Sequence, residues 1–171
     1  GPGISGIAVI RVSGKYASIV VKQLTKEKLP NAREATLLKF FDTKSKDLID
    51  EGMLLWFPGP DSYTGEDLAE FHVHGSRAVI NAMQNSIAKI KDCRLAEPGE
   101  FTKMAFENGK INLLKAESIA DLVAAETELQ RKQAINVMTG NSEKKFNLWR
   151  EKLLKALSSV EAKIDFADED L

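Results

Sequence analysis

Pro58-Gly59-Pro60-Asp61-Ser62-Tyr63-Thr64-Gly65-Glu66-Asp67-Leu68-Ala69-Glu70-Phe71-His72-Val73-His74-Gly75 is the stretch on which the fold turns. Pro58, Gly59 and Pro60 end the apolar run before it, and Thr64-Gly65 marks a second turn. From Leu68 the pattern alternates. Ala69, Phe71 and Val73 project to one side of a strand, and Leu68, Glu70, His72 and His74 to the other. The first set is a core face. The second places a carboxylate and both of the chain's histidines on one surface, which marks it for chemistry or ligand contact.

Upstream, Ile4, Ile7, Ala8, Val9, Ile10 and Val12 form a near-continuous apolar run between Gly3 and Gly14, read as a strand buried on both faces. Gly1, Gly3 and Gly6 spell G-x-G-x-x-G but precede this strand. A dinucleotide fingerprint follows its strand and opens a helix, so the match is discarded. Arg11 interrupts the run. A guanidinium in a buried strand is costly unless paired, so Arg11 marks either a structural ion pair or an anion site. Ala17, Val20, Val21 and Leu24 recur at helical spacing, and Ala35–Phe41 and Ile49–Phe57 read as a hairpin.

Downstream, Val79, Ile80, Met83, Ile87 and Ile90 stripe a helix over 77–91, and Arg94–Ala96 is expected as a short fifth strand. Glu100–Glu107 is a short helix ended by Asn108-Gly109. From Asn112 the texture changes: one long helix is expected to Met138. After a stop and restart at Gly140-Asn141-Ser142, a second follows, antiparallel to the first, with Phe146, Trp149, Leu153, Leu157, Val160 and Ile164 along one side. The expected architecture is α+β, a mixed sheet of about five strands covered by helices over 1–112, then long antiparallel helices over 113–171. Two helices do not complete a bundle, so a helical domain continued elsewhere in the chain or by another chain is expected.

The bulk composition narrows the function. With 43% hydrophobic and 29% charged residues the chain is an ordinary globular sequence, and a formal charge of -1 provides no general basic field for nucleic acid. Cys93 is the only cysteine; it fits a reducing compartment and reads as a small buried hydrophobe. Gly1-Pro2 reads as a cleavage remnant, and no apolar run is long enough to span a membrane. There is no G-x-x-x-x-G-K-[ST] phosphate cradle.

Two constellations remain for the Glu70 face. Glu70, His72 and His74 could ligate a metal and support a hydrolase, but no third histidine exists to complete the set. Alternatively the face walls a polar pocket. Glu70 would accept two parallel N–H donors from a guanidine-like heterocycle, with Arg11 and Lys110 adding positive charge for an anionic tail.

Several segments, in order and over nearly the whole chain, resemble the tRNA-modification GTPases called MnmE or TrmE. They include Gly6–Gly14, Phe57–Gly75, Glu97-Pro98-Gly99-Glu100-Phe101-Thr102, Ala105–Lys110, Ala120–Thr127 and Ile164-Asp165-Phe166. Ser76 stands where that family commonly has a second glycine. The wording Glu70–His74 and the run Glu126–Gln133 resemble the mitochondrial branch, implying the mitochondrial matrix, with the bacterial cytoplasm as the alternative.

The resemblance implies a folate-binding, aminomethyltransferase-like N-terminal domain that forms a homodimer, then a helical domain interrupted by a G domain. It implies 5-formyltetrahydrofolate or 5,10-methylenetetrahydrofolate as ligand, and GTP, Mg and K in a G domain beyond Leu171. It also implies an FAD-dependent MnmG-type partner and tRNA modified at C5 of its wobble uridine. By matching positions, the folate contacts fall on Arg11, Glu70 and Lys110, with His74 lining the same pocket. A fragment of this kind is not expected to be catalytic alone. A purely structural dimerisation module is a further reading.

Overall fold

The computed structural model describes residues 5–165. Gly1, Gly3 and Ile4 of the opening run, and Phe166 of the last matching segment, lie outside the described residues. So does the side-chain cap expected from Asn141-Ser142. The chain divides into two compact units after Lys110.

The first unit is a sheet with the helices Ala17–Thr25 and Arg77–Ala88 packed on one face. β1 (Ser5–Ser13), α1 (Ala17–Thr25), β2 (Thr36–Phe41), β3 (Leu48–Phe57), β4 (Leu68–Gly75), α2 (Arg77–Ala88) and α3 (Glu100–Glu107) follow in order. The four strands stand β1-β4-β3-β2, every pair antiparallel. The sheet is therefore antiparallel rather than mixed, and Arg94–Ala96 is irregular rather than a fifth strand.

Alternation in β4 holds from Ala69 to His74, whereas Leu68, expected on the outer face, is buried. Ala69, Phe71 and Val73 are buried, while Glu70 and His72 are half-buried and His74 exposed. Phe71 meets Phe40 of β2 edge-to-face at 5.4 Å, a favoured aromatic geometry. Val20, Val21 and Leu24 of α1, Leu54 of β3 and Met83 of α2 complete the fully buried core. Ser76 caps α2, its hydroxyl accepting from the Val79 amide at 3.2 Å. The strands approach so closely that a methyl group on Gly52 of β3 would stand 2.1 Å from the His72 carbonyl oxygen of β4.

β1 departs from expectation. It is an edge strand with one neighbour, so only Ala8, Ile10 and Val12 pack on the core, while Ile7 is 69% and Val9 50% exposed. An apolar run alone does not reveal that one of its faces is left open.

The second unit holds α4 (Leu113–Ala124), α5 (Glu128–Met138) and α6 (Asn141–Asp165). The long helix expected from Asn112 is broken in two. Thr127 and Gln130 form a capping box, each side chain satisfying the other's backbone N–H, and α5 starts there. The side chains expected to seal α6 against its predecessor are each more than half exposed, Phe146, Trp149, Leu153, Leu157, Val160 and Ile164 alike. Among the described residues, no helix is long and apolar enough to cross a membrane.

Candidate ligand-binding site

Antiparallel pairing puts Arg11 of β1 directly opposite Glu70 of β4, so their side chains share the sheet face opposite α1 and α2. Arg11 Nε lies 3.9 Å from Glu70 Oε1, too far for a hydrogen bond, and His72 Nε2 lies 3.4 Å from Glu70 Oε2. The guanidinium also stands 5.3 Å above the Phe101 ring of α3. Glu70 is one-quarter exposed and Arg11 nearly half. The carboxylate is thus shielded, lightly held, and free to accept stronger donors.

The turn after α3 brings Lys110 to the loop ahead of β4. Lys110 Nζ donates to the Pro60 carbonyl at 2.8 Å, and its stem crosses Gly65, whose φ of +81° and crowding by that stem disfavour any side chain there. Asn108 Nδ2 donates to the Thr64 carbonyl at 2.7 Å, and the buried Thr64 hydroxyl pairs with Ser13 at the end of β1 at 2.6 Å. Tyr63 and Thr102 join the loop to α3 through their hydroxyls at 2.9 Å. These bonds bind the three segments that carry Arg11, Glu70 and Lys110 into one assembly.

His74 is placed differently. Its ring Nδ1 lies 2.8 Å from Asp50 Oδ1, and its amide donates to Asp50 Oδ2 at 2.8 Å. Burial alone would raise the Asp50 pKa. The hydrogen bonds from the His74 amide and ring and the Glu51 amide outweigh it and hold the carboxyl below its ordinary value of 3.8. The imidazole facing Glu70 is therefore that of His72, while β3 draws His74 away. Glu70 and Asp50 take one histidine each, and among the described residues no group of three potential metal ligands converges.

Beside β1 opens a cavity of about 640 Å³, walled by α2, α3 and the segment 92–96. Arg11, which stands opposite Glu70, lines it together with Phe101, so the cavity adjoins the Arg11–Glu70 pair. On its rim, Arg94 holds Glu100 in a two-pronged ion pair, which drops the Glu100 pKa to about 2. Cys93 also lines the cavity, its thiol pKa pushed up by burial and then by Asp92. Sequence reasoning missed Phe101 and Asp50. Phe101 stood within the quoted Glu97–Thr102 segment; Asp50 gave no local signal, because its role is set by strand register.

A family profile described as the N-terminus of the GTP-binding protein TrmE matches residues 1–110, and one described as the MnmE helical domain matches 113–171. The chain is 69% identical, over all of its 171 residues, to the tRNA modification GTPase MnmE of Pelagibacter ubique, of which it covers 39%. It is 46% identical to the protein of that name from Parvibaculum lavamentivorans, over 99% of this chain and 39% of that one. With that of Brucella canis it shares 48% identity, over 96% and 37%. The chain spans about two fifths of the length of these relatives. All three are bacterial, which argues against the mitochondrial placement expected from the Glu70–His74 wording.

Proposed function

This chain belongs to the MnmE (TrmE) family of tRNA modification GTPases, and on that premise we propose that residues 1–112 bind a reduced folate and pair two copies of the chain. The single observation that carries this reading is the Arg11–Glu70 pair: opposite in register, 3.9 Å apart, and backed by an aromatic ring. Glu70 accepts the amino and ring N–H donors of the pterin, a guanidine-like edge that matches a carboxylate in shape and charge. Arg11 serves the oxygen-bearing part. Lys110, whose ammonium has donors beyond the one spent on Pro60, serves an anionic part. His74 was expected in this pocket; because it sits on Asp50, the imidazole contact passes to His72.

Pairing of two copies is supported by the exposed apolar residues on the sheet's edges, Ile7 and Val9 on β1 and Leu37 on β2. Residues 113–171 begin the helical domain of the longer protein. In that protein the ligand is 5-formyl- or 5,10-methylenetetrahydrofolate, a one-carbon source. A G domain using GTP, Mg and K and an FAD-dependent MnmG-type partner act with it on C5 of the wobble uridine of tRNA, in the bacterial cytoplasm.

Calorimetric titration of the chain with 5-formyltetrahydrofolate, alongside light scattering, tests the reading. A dimeric wild-type sample is expected to bind and Glu70→Ala to lose binding. A dimer with no folate affinity would instead favour a purely structural pairing module.

A further inference from the structure

We propose that one flank of α6 is a docking strip for the phosphate backbone of tRNA; the inference rests on the tRNA part of the reading above and not on its folate part. Successive residues of an α-helix are turned by about 100°. On that spacing Lys144, Lys145, Lys152, Lys155 and Lys163 share an arc of about 100°, with Leu148, Ser159 and Ala162 between them. All five lysines are exposed. The apolar seam from Phe146 to Ile164 runs alongside the arc, and Glu151 and Glu161 fall outside it. From Lys144 to Lys163 the strip is about 28 Å long.

The positive charge of the strip is not spent within the helix. On α5, Arg131 and Lys132 both lie on Glu128, at 2.8 and 3.6 Å. Among the described residues, none of the five α6 lysines makes such an ion pair. Of the residues three or four places from them, only Glu151, four before Lys155, is acidic. Lys152 and Lys155 stand three apart, a like-charge contact that weakens a helix by itself. A polyanion laid along the strip replaces that repulsion with attraction and releases its own counterions. Because the whole chain has a formal charge of -1, attraction for RNA has to be local, as this strip is. A helix lying in a membrane surface is rich in cations across its polar face. In α6 the lysines keep to one flank of the seam and Glu151 and Glu161 occupy part of the remainder, which favours a nucleic acid over lipid headgroups.

The test is binding of an unmodified tRNA transcript at stepped KCl by wild type, Lys145→Gln/Lys152→Gln and Lys28→Gln/Lys44→Gln. Both double variants lose the same charge from exposed positions, and glutamine matches lysine in helix propensity. Losing two phosphate contacts should flatten the slope of log K against log [KCl] by about 1.4–1.8 and weaken binding near 0.1 M salt by about tenfold or more. The Lys28/Lys44 variant should follow wild type. Equal losses in the two variants, or wild type with no affinity for the transcript, overturn the strip. So does binding to phosphatidylglycerol vesicles that Lys145→Gln/Lys152→Gln abolishes while tRNA binding is untouched. Titration of the same samples with 5-formyltetrahydrofolate reads the folate site separately. Its affinity should be the same in all three; no folate binding by wild type would sink the folate reading, with the tRNA slopes still deciding this one.

Discussion

The two ends of the outer face of β4 carry similar residues and are held very differently. At one end His74 grips Asp50 twice, through ring and amide, both at 2.8 Å. At the other, four residues earlier, Glu70 has, among the described residues, only Arg11 at 3.9 Å and His72 at 3.4 Å, although three-quarters of it is shielded from solvent. A shielded carboxylate gains most when strong donors surround it, as they surround Asp50. Glu70 lacks them and has a cavity mouth nearby at Arg11 and Phe101. Satisfied pairs build the sheet; the loosely held one is the proposed ligand contact.

Substitutions can break or sharpen that contrast. The largest effect is expected from Gly52→Ala, whose new methyl group would press on the His72 carbonyl and force β3 from β4 between the two ends. A loss of about 3 kcal/mol in urea-monitored stability is expected, with folate binding and the Asp50–His74 pair failing together. Next, Glu70→Ala should weaken folate binding by about a hundredfold, roughly 2.7 kcal/mol, while moving the urea midpoint little. Asp50→Ala should do the reverse, costing about 1–2 kcal/mol of stability and leaving affinity nearly unchanged.

The same pair predicts a pH dependence. The Asp50 carboxyl is depressed in the folded chain, so its contribution is fully present above the ordinary carboxylate value near 3.8. It is lost as pH falls from there through the folded pKa. The difference in stability between wild type and Asp50→Asn should therefore shrink below about pH 4, in urea titrations at stepped pH. The smallest effect is expected from Lys110→Ala, a severalfold loss of folate affinity, because this lysine also spends a bond on Pro60.

Much of this was legible in the residues. Alternation over Ala69–His74, the Ser76 cap and the short helix before Asn108 follow from local rules, and the structure has all three. The odd charges Arg11 and Glu70 announced themselves by sitting in strands, and pairing brings them together. What was not legible depends on neighbours distant in sequence. β1 reads as doubly buried because an edge strand that leaves apolar residues exposed has the same pattern as a central one. His72 and His74 look equivalent until β3 supplies Asp50 to one of them. The break between α4 and α5 was available in Thr127-x-x-Gln130, but without glycine or proline to mark it the helical periodicity on either side concealed it.

The most direct test of the contrast is folate affinity measured side by side for Glu70→Gln and Asp50→Asn, two isosteric losses of charge on one strand face. Glu70→Gln should weaken 5-formyltetrahydrofolate binding by at least about tenfold with Asp50→Asn within about twofold of wild type. Equal losses in both, or retention of affinity in Glu70→Gln, would contradict the assignment of Glu70 as the ligand wall.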